Sequence, residues 1–409
     1  MDLTYSPKHQ ALQEEVRVFI REYGHLSPRF GGGRKRPDQQ TLQWQQLLLE
    51  RGYLARTVPR EYGGFGAEPD VLETAIIADE LSKGGVSPGL LNQGVLIVVP
   101  TLLEMGTPAQ RVTWVRRTLT GEVIWCIGNS EPAAGSDMAN TQTKAVVEGD
   151  EFVVNGHKIW TSSAHYADVM LLLCRTDPGA RKHRGLTYLV VPMTSPGIRV
   201  QPLVTMTERA EFNETFLENV RVPLDQTVMG RGDGWAVAMA SLKHERVMLG
   251  DPNKQMQRFH NILKLMRETT IGGVSVIEIP EYRDRLLQLQ AEVLAAKYHH
   301  LRLLTLASSG AEAGLPGLVQ KIYGTALNHK LSALAVDVLG EAGLLYDPHE
   351  SAQDDASTTW QIDYMYDIGL IIGGGTAQVQ KNIISERGLG MPREPVMPEK
   401  LDQGKHHEI

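Results

Sequence analysis

The apolar residues of this chain change period twice, and few folds accommodate that. Up to about residue 122 they recur at every third and fourth position, as at Leu12, Val16, Phe19 and Ile20 and again through Leu47, Leu48 and Leu49. That spacing lines up side chains on one face of a helix. Near residue 123 the period falls towards two, in short apolar runs separated by turn pairs, as strands require. From Gly234 the helical spacing returns and holds, in WAVAMASLKHERVML, YRDRLLQLQAEVLAAKYHHLRLL and PGLVQKIYGTALNHKLSALAVDVLG. The expected layout is a helical domain over 1–122, a middle β-barrel or sheet domain over 123–231 and a helical bundle over 232–409. The fold class is mainly α with a central β domain.

Local signals refine this. In AVVEGDEFVVNGHKIW, both Gly149-Asp150 and Asn155-Gly156 are expected to turn hairpins, because these residue types tolerate positive φ. Further strands are expected at 186–191, 198–204 and 216–222. Gly52 follows an apolar helical stripe, where a left-handed cap is expected. The last long helix is expected to open on Pro316 and close on Gly340.

Composition excludes several classes. With 41 Lys+Arg against 48 Asp+Glu the net charge is -7, unsuited to a protein held on nucleic acid by phosphate contacts. The basic run Arg34-Lys35-Arg36, between Gly33 and Pro37, reads as a solvated loop. Cys126 and Cys174 stand 48 positions apart without CxxC spacing, which fits a reducing cytoplasm. The start MDLTYSPKHQ has no apolar signal core, and the apolar run 95–103 is broken by Pro100. No membrane association is expected.

Motifs for common nucleotide sites are missing. The chain lacks GxxxxGK[ST] and lacks GxGxxG after a strand; GRGDGW at 230–235 has the wrong spacing and reads as a turn entering a helix. His299 and His300 are adjacent, so they diverge on a helix and do not form an i,i+4 metal pair. Two stretches stand out. WCIGNSEPAAGSD at 125–137 is rich in small residues that let backbone amides approach a ligand, and KIWTSSA at 158–164 places an aromatic before three hydroxyl residues at a strand end. Each alone reads as a polar loop.

Together, and in this order, they make the chain resemble the acyl-CoA dehydrogenase family over nearly its whole length. The resemblance is carried by VPREYGGFG at 58–66, SEPAAGSD at 130–137, NGHKIWTSSA at 155–164, GWAVAMASLKHER at 234–246 and GGTAQVQKNIISERGLGMP at 374–392. It implies a C-terminal four-helix bundle, noncovalent FAD between the β domain and that bundle, and oxidation of the Cα–Cβ bond of an acyl-CoA. By position, Ile127, Ser130, Trp160, Thr161 and Ser162 would meet the flavin, while Thr376, Gln378 and Arg267 would serve the rest of the cofactor. Ser136 would lie near both cofactor and substrate, and Arg246 and Gly374 would touch substrate.

The resemblance leaves the catalytic base to be found. Many members of the family place a glutamate just before the Gly-Thr of the last motif, but in IIGGGTAQVQ that position is Gly374. Relatives resembling isovaleryl-CoA dehydrogenase supply the carboxylate from the helix after the β domain, at the position of Glu245 in LKHER. The residues agree. Ala238, Ser241, Leu242, Met248 and Leu249 share the helix face of Glu245, which has no basic residue three or four positions away, so its pKa is expected to be raised. Gly374 would retain its amide to polarise the thioester carbonyl. Loss of its side chain is expected to enlarge the pocket for a branched or bulky acyl group such as a steroid side chain.

The implied partners are an acyl-CoA substrate and an electron-transferring flavoprotein. An Arg-x-x-Phe-Gly segment that in many homotetramers reaches a neighbour's FAD is altered to MRETTIGGV at 266–274, and Asp337 stands where relatives have glutamine. A homo- or hetero-oligomer with another acyl-CoA dehydrogenase-like chain is therefore expected. An oxygen-using acyl-CoA oxidase and a supporting non-catalytic subunit are the alternatives.

Overall fold

The structure is a computed structural model that describes residues 5–28, 35–311, 313–346 and 360–393. Its N-terminal part is helical: α1 (Pro7–Tyr23), α2 (Gln39–Glu50), α3 (Val71–Lys83), α4 (Val99–Met105) and α5 (Pro108–Leu119). Side-chain caps set the starts. Ser6, Asp38 and Asp70 accept from first-turn amides, and Thr107 with Gln110 forms a reciprocal capping box, each cap contributing about 1 kcal/mol. Phe19, Trp44, Tyr53 and Leu81 fill the space between α1, α2 and α3. Gly52 takes φ +69, and a Cβ there would stand 2.5 Å from the Phe65 ring, so backbone and packing both require glycine. Of the basic run, Arg34 lies outside the described residues, and Arg36 grips both Asp168 carboxylate oxygens at 2.8 Å.

The β domain holds β1 (Trp125–Gly128), β2 (Lys144–Glu148), β3 (Glu151–Lys158), β4 (Val169–Arg175), β5 (Leu186–Pro192), β6 (Ile198–Leu203), β7 (Phe212–Pro223) and β8 (Thr227–Val228). They form one sheet in the order β6-β7-β3-β2-β4-β5-β8, with β1 parallel to β4. β4 and β5 are buried on both faces, which is why they read as unbroken apolar runs.

The two turn pairs behave differently. Gly149, at φ +67, turns the β2–β3 hairpin closed by the Glu148 and Glu151 pair. Asn155-Gly156 does not turn a hairpin; it lies inside β3, where the register against β7 shifts between Val154 and Gly156. That is a β-bulge whose extra residue lies on β7, where Glu218 and Asn219 stand opposite Asn155 and Asn219 takes φ +53. Asn155 Oδ1 accepts from Asn219 N at 2.9 Å across the bulge, and a Cβ on Gly156 would fall 2.3 Å from Thr143 Oγ1.

Helices resume with α6 (Gly234–Leu249), α7 (Pro252–Glu268), α8 (Pro280–Ser308), α9 (Gly314–Val338), α10 (Trp360–Ile372) and the short α11 (Ala377–Ile383); the hairpin of β9 (Thr270–Ile271) and β10 (Val274–Ser275) follows α7. α7, α8 and α9 bury Phe259, Ile262, Leu286, Leu289, Leu327, Leu331 and Leu334 together. α10 docks on them through Asp367, which accepts from Arg258 Nη1 at 2.7 Å and Ser332 Oγ at 2.8 Å. These four helices form the bundle. α9 opens at Gly314, two residues ahead of the expected Pro316, since a first-turn proline gives up no helical bond. Gly340 stands beyond its end at φ +58. α6 ties the two parts of the chain, because its Val237 and Ala238 share a core with Leu102 of α4 and with Leu186, Tyr188 and Val190 of β5. No helix among the described residues is long and apolar enough to cross a membrane.

Candidate active site

The two small-residue motifs meet at adjacent strand ends. Ile127 is half-buried near the end of β1, and Ile159 N, just past β3, donates to Ser130 O at 3.0 Å. A buried ion pair locks the loop between them: Lys158 Nζ donates to Glu131 Oε1 at 2.8 Å and to Asn129 O at 3.0 Å. Glu131 also accepts from the amides of Gln142 and Thr143 at 2.6 and 2.9 Å. Burial alone would raise the Glu131 carboxyl, but Lys158 and these donors bring it below its ordinary value.

Beyond β3 the backbone turns sharply. Trp160 has φ +59 and Ser163 φ +66, conformations that cost L-residues about 1–3 kcal/mol each and persist only where neighbours impose them. Asn213 does so here, its O accepting from Thr161 N at 3.0 Å and its Nδ2 donating to Thr161 O at 2.9 Å. The Trp160 ring is 56% exposed although it meets Phe212 edge to face, and Phe212 stacks on Tyr366 of α10. Thr161 is fully buried, and its Oγ1 has no hydrogen-bond partner among the described residues. Ser162 is half-buried beside it.

Glu245 sits in the last turns of α6, half-buried, with a carboxyl held above its ordinary value by loss of water; Arg246 and Lys321 pull the other way and do not overcome it. The bundle's last turn faces it. A Cβ built on Gly374 would stand 3.7 Å from the Glu245 carboxyl carbon and Oε1, and 2.8 Å from Leu249 Cδ1. The room expected from glycine at 374 is met at the Cβ position by Leu249 Cδ1, with the Glu245 carboxylate in ordinary van der Waals contact beyond it. The carboxylate also faces the β domain, where it helps raise the pKa of the buried Tyr188 phenol, which donates to Asn129 Oδ1 at 2.5 Å.

The remaining candidates are spread around this centre. Arg246 is half-buried, its Nε lacks a partner among the described residues, and burial lowers its pKa. Thr376 caps α11 by accepting from Val379 N at 3.2 Å, so its hydroxyl is engaged locally, and Gln378 is exposed two residues on. Ser136 is exposed on its loop beside the Lys182–Asp137 pair. Arg267 is exposed at the end of α7, and Asp337 pairs with Arg285 at 2.6 Å.

Sequence reasoning missed Lys321, Asn213 and the Glu131–Lys158 pair. For Lys321 a signal was available: Lys321, Thr325, Asn328 and Ser332 recur at helical spacing on an otherwise Leu- and Ala-rich helix, and all four are buried.

Comparisons with known proteins identify the family. Family models for the N-terminal, middle and C-terminal domains of acyl-CoA dehydrogenase match residues 6–122, 126–220 and 232–389. The chain belongs to the acyl-CoA dehydrogenase family, a family of FAD-dependent flavoprotein oxidoreductases. It is 34% identical over 353 residues to acyl-CoA dehydrogenase IpdE1 of Mycobacterium tuberculosis, covering 86% of this chain and 88% of that one. Among solved structures it is similar to the Tcur3481-Tcur3483 steroid ACAD, with a TM-score of 0.79 at 29% identity, covering 96% of this chain and 100% of that chain. It is also similar to the ChsE4-ChsE5 complex from Mycobacterium tuberculosis, with a TM-score of 0.77 at 29% identity, covering 96% of this chain and 100% of that chain.

The residues present fit the family's cofactor. A buried hydroxyl without a partner at Thr161, next to a tryptophan held open at positive φ, suits a flat polar ring with acceptors at its edge.

Proposed function

We propose that this chain carries out FAD-dependent α,β-dehydrogenation of an acyl-CoA thioester to a trans-2-enoyl-CoA, with Glu245 as the base. The observation that carries this reading is the half-buried, pKa-raised carboxyl of Glu245 set 3.7 Å from the Cβ position of Gly374. That is where relatives with the glutamate in the last motif begin their own base. A base that takes a weakly acidic α proton works best with a pKa near the working pH, and burial moves Glu245 in that direction. Gly374 offers its amide to the thioester carbonyl, where hydrogen bonding favours the enolate. Ser136 and Arg246 meet the acyl-CoA, and Ile127, Ser130, Trp160, Thr161, Ser162, Thr376 and Gln378 hold the FAD. Bound FAD supplies the acceptor for the hydride leaving Cβ.

The acyl group is branched or bulky. Support comes from the likeness to the solved Tcur3481-Tcur3483 steroid ACAD rather than from empty space at Gly374. The chain works in an oligomer with another acyl-CoA dehydrogenase-like chain; the exposed Arg267, the Asp337–Arg285 pair and the likeness to a two-component complex favour this. Electrons pass on to an electron-transferring flavoprotein. The test is the visible spectrum of purified protein, alone and co-expressed with a partner chain, followed by anaerobic bleaching with a panel of acyl-CoAs. A yellow protein bleached by bulky acyl-CoAs is expected. Colourless protein that takes up no FAD in either form overturns the reading.

A further inference from the structure

Lys321 lies in the middle of α9 with 2% of its surface exposed. Its Nζ donates to Ile371 O at 2.9 Å and to Gly375 O at 2.7 Å. Those carbonyls bracket the glycine turn between α10 and α11, one near the end of α10, where unpaired carbonyls carry the negative end of the helix dipole. Both bonds reach far along the sequence, at separations of 50 and 54, and they add to the local bonds of the turn, Gly373 N to Gly369 O at 2.9 Å and Gln380 Nε2 to Gly374 O at 3.2 Å. Between the two anchored carbonyls sit Gly373 and Gly374, and the vacant Cβ side of Gly374 faces the Glu245 carboxylate at 3.7 Å.

We propose that Lys321 is a positioning residue for the active site: it pins the glycine turn so that the Gly374 amide and the Glu245 carboxylate keep their relative placement, and it sets a positive charge beside that carboxylate. The inference rests on Glu245 being the base. A lysine serving only to fill the bundle core would be an unusual choice, since burying an ammonium is costly unless acceptors meet it. Here the acceptors belong to the turn at the active site. Arg246 on α6 acts on both members of this pair and Tyr188 on β5 is coupled to Glu245, while Arg387, beyond α11, acts on Arg246. Burial pulls the Lys321 ammonium down to about 8 while Glu245 opposes the shift, and Lys321 in turn holds the Glu245 carboxyl lower than burial alone would. Below about pH 8 the lysine is charged. Removing that charge raises the Glu245 pKa, so the base is ionised over less of the pH range.

The test compares wild type, Lys321→Met, Lys321→Arg and Glu245→Gln, each as purified flavoprotein in its natural assembly. Two quantities are read: anaerobic flavin-reduction rate against pH, below about pH 8, and hydrogen–deuterium exchange of the glycine turn without substrate. In Lys321→Met the acid limb of the rate profile should move up by about one pH unit, the low end of what a neighbouring charge does to a carboxylate. The turn amides should exchange faster. Lys321→Arg, which keeps charge and donors, should leave the limb near its wild-type position. A limb that stays in place in Lys321→Met, with a rate lowered equally at every pH or with unchanged exchange, overturns the inference. In Glu245→Gln the acid limb should vanish with the activity. Wild-type reduction by Glu245→Gln would overturn the base assignment itself, and Lys321's action on it with that. Loss of activity in Glu245→Gln beside an unmoved limb in Lys321→Met overturns only the role of Lys321.

Discussion

The carboxyl carbon of Glu245 lies 3.7 Å from the point where a Cβ on Gly374 would stand. The two positions are neighbours in van der Waals contact. A side chain at 374 and a carboxylate reaching in from α6 are alternatives, and Leu249 Cδ1, 2.8 Å from the same point, closes the remaining space. The turn reinforces the choice, since Gly374 and Gly375 take φ +64 and +100, a region that favours glycine.

Glu245→Gln keeps shape and hydrogen bonding but cannot accept a proton. Flavin reduction by a good acyl-CoA should fall by about two to four orders of magnitude, the scale of positioned acid–base catalysis, while FAD content stays normal. Stopped-flow reduction with FAD quantified per chain checks this, and a wild-type rate would send the search for the base elsewhere.

The same variant makes a stability prediction of opposite sense. Burial raises the Glu245 pKa above its ordinary value of 4.5, so the folded state binds this proton more tightly than the unfolded chain does. Its contribution is fully present below pH 4.5 and is lost as pH rises through the folded-state pKa. At neutral pH Glu245→Gln should therefore melt higher than wild type, and the difference should shrink to nothing as pH falls towards 4.5. Thermal unfolding across that range decides it; a variant less stable at neutral pH would count against a strained carboxylate.

Restoring a carboxylate at the other site should be difficult. Gly374→Glu in a Glu245→Gln background must adopt φ +64 and push Leu249 aside, and the left-handed region alone costs a non-glycine residue about 1–2 kcal/mol. Rescue should be partial at best and confined to small acyl-CoAs. Adding Leu249→Ala should increase it, as single-turnover rates with short and bulky substrates would show.

The Glu131–Lys158 pair supports the motif loop from inside the sheet. Lys158→Met leaves Glu131 buried without its cation, and such half-broken pairs cost about 3–5 kcal/mol. Urea unfolding should show that loss and a partial recovery in Lys158→Met/Glu131→Gln. FAD retention should fall in the single variant, because Asn129 O loses a donor as well.

What the chain encodes locally was legible without coordinates. Helix and strand periods, the cap at Gly52 and the turn at Gly149 all follow from φ preferences and side-chain spacing within a few residues. The placement of Glu245 on a largely apolar stripe of α6 belongs to the same class. Tertiary structure decided the rest. Asn155-Gly156 stays extended within β3 instead of turning because β7 continues the ladder on both sides of it and takes up the bulge at Glu218-Asn219. Gly374 leaves no free room for a Cβ because Leu249, 125 positions earlier in the chain, reaches the same point. Lys321 joins the active-site turn across 54 residues. Period and turn chemistry are set by neighbours in sequence, whereas the partner of a buried charge is set by which helices pack together, and that is a property of the folded chain alone.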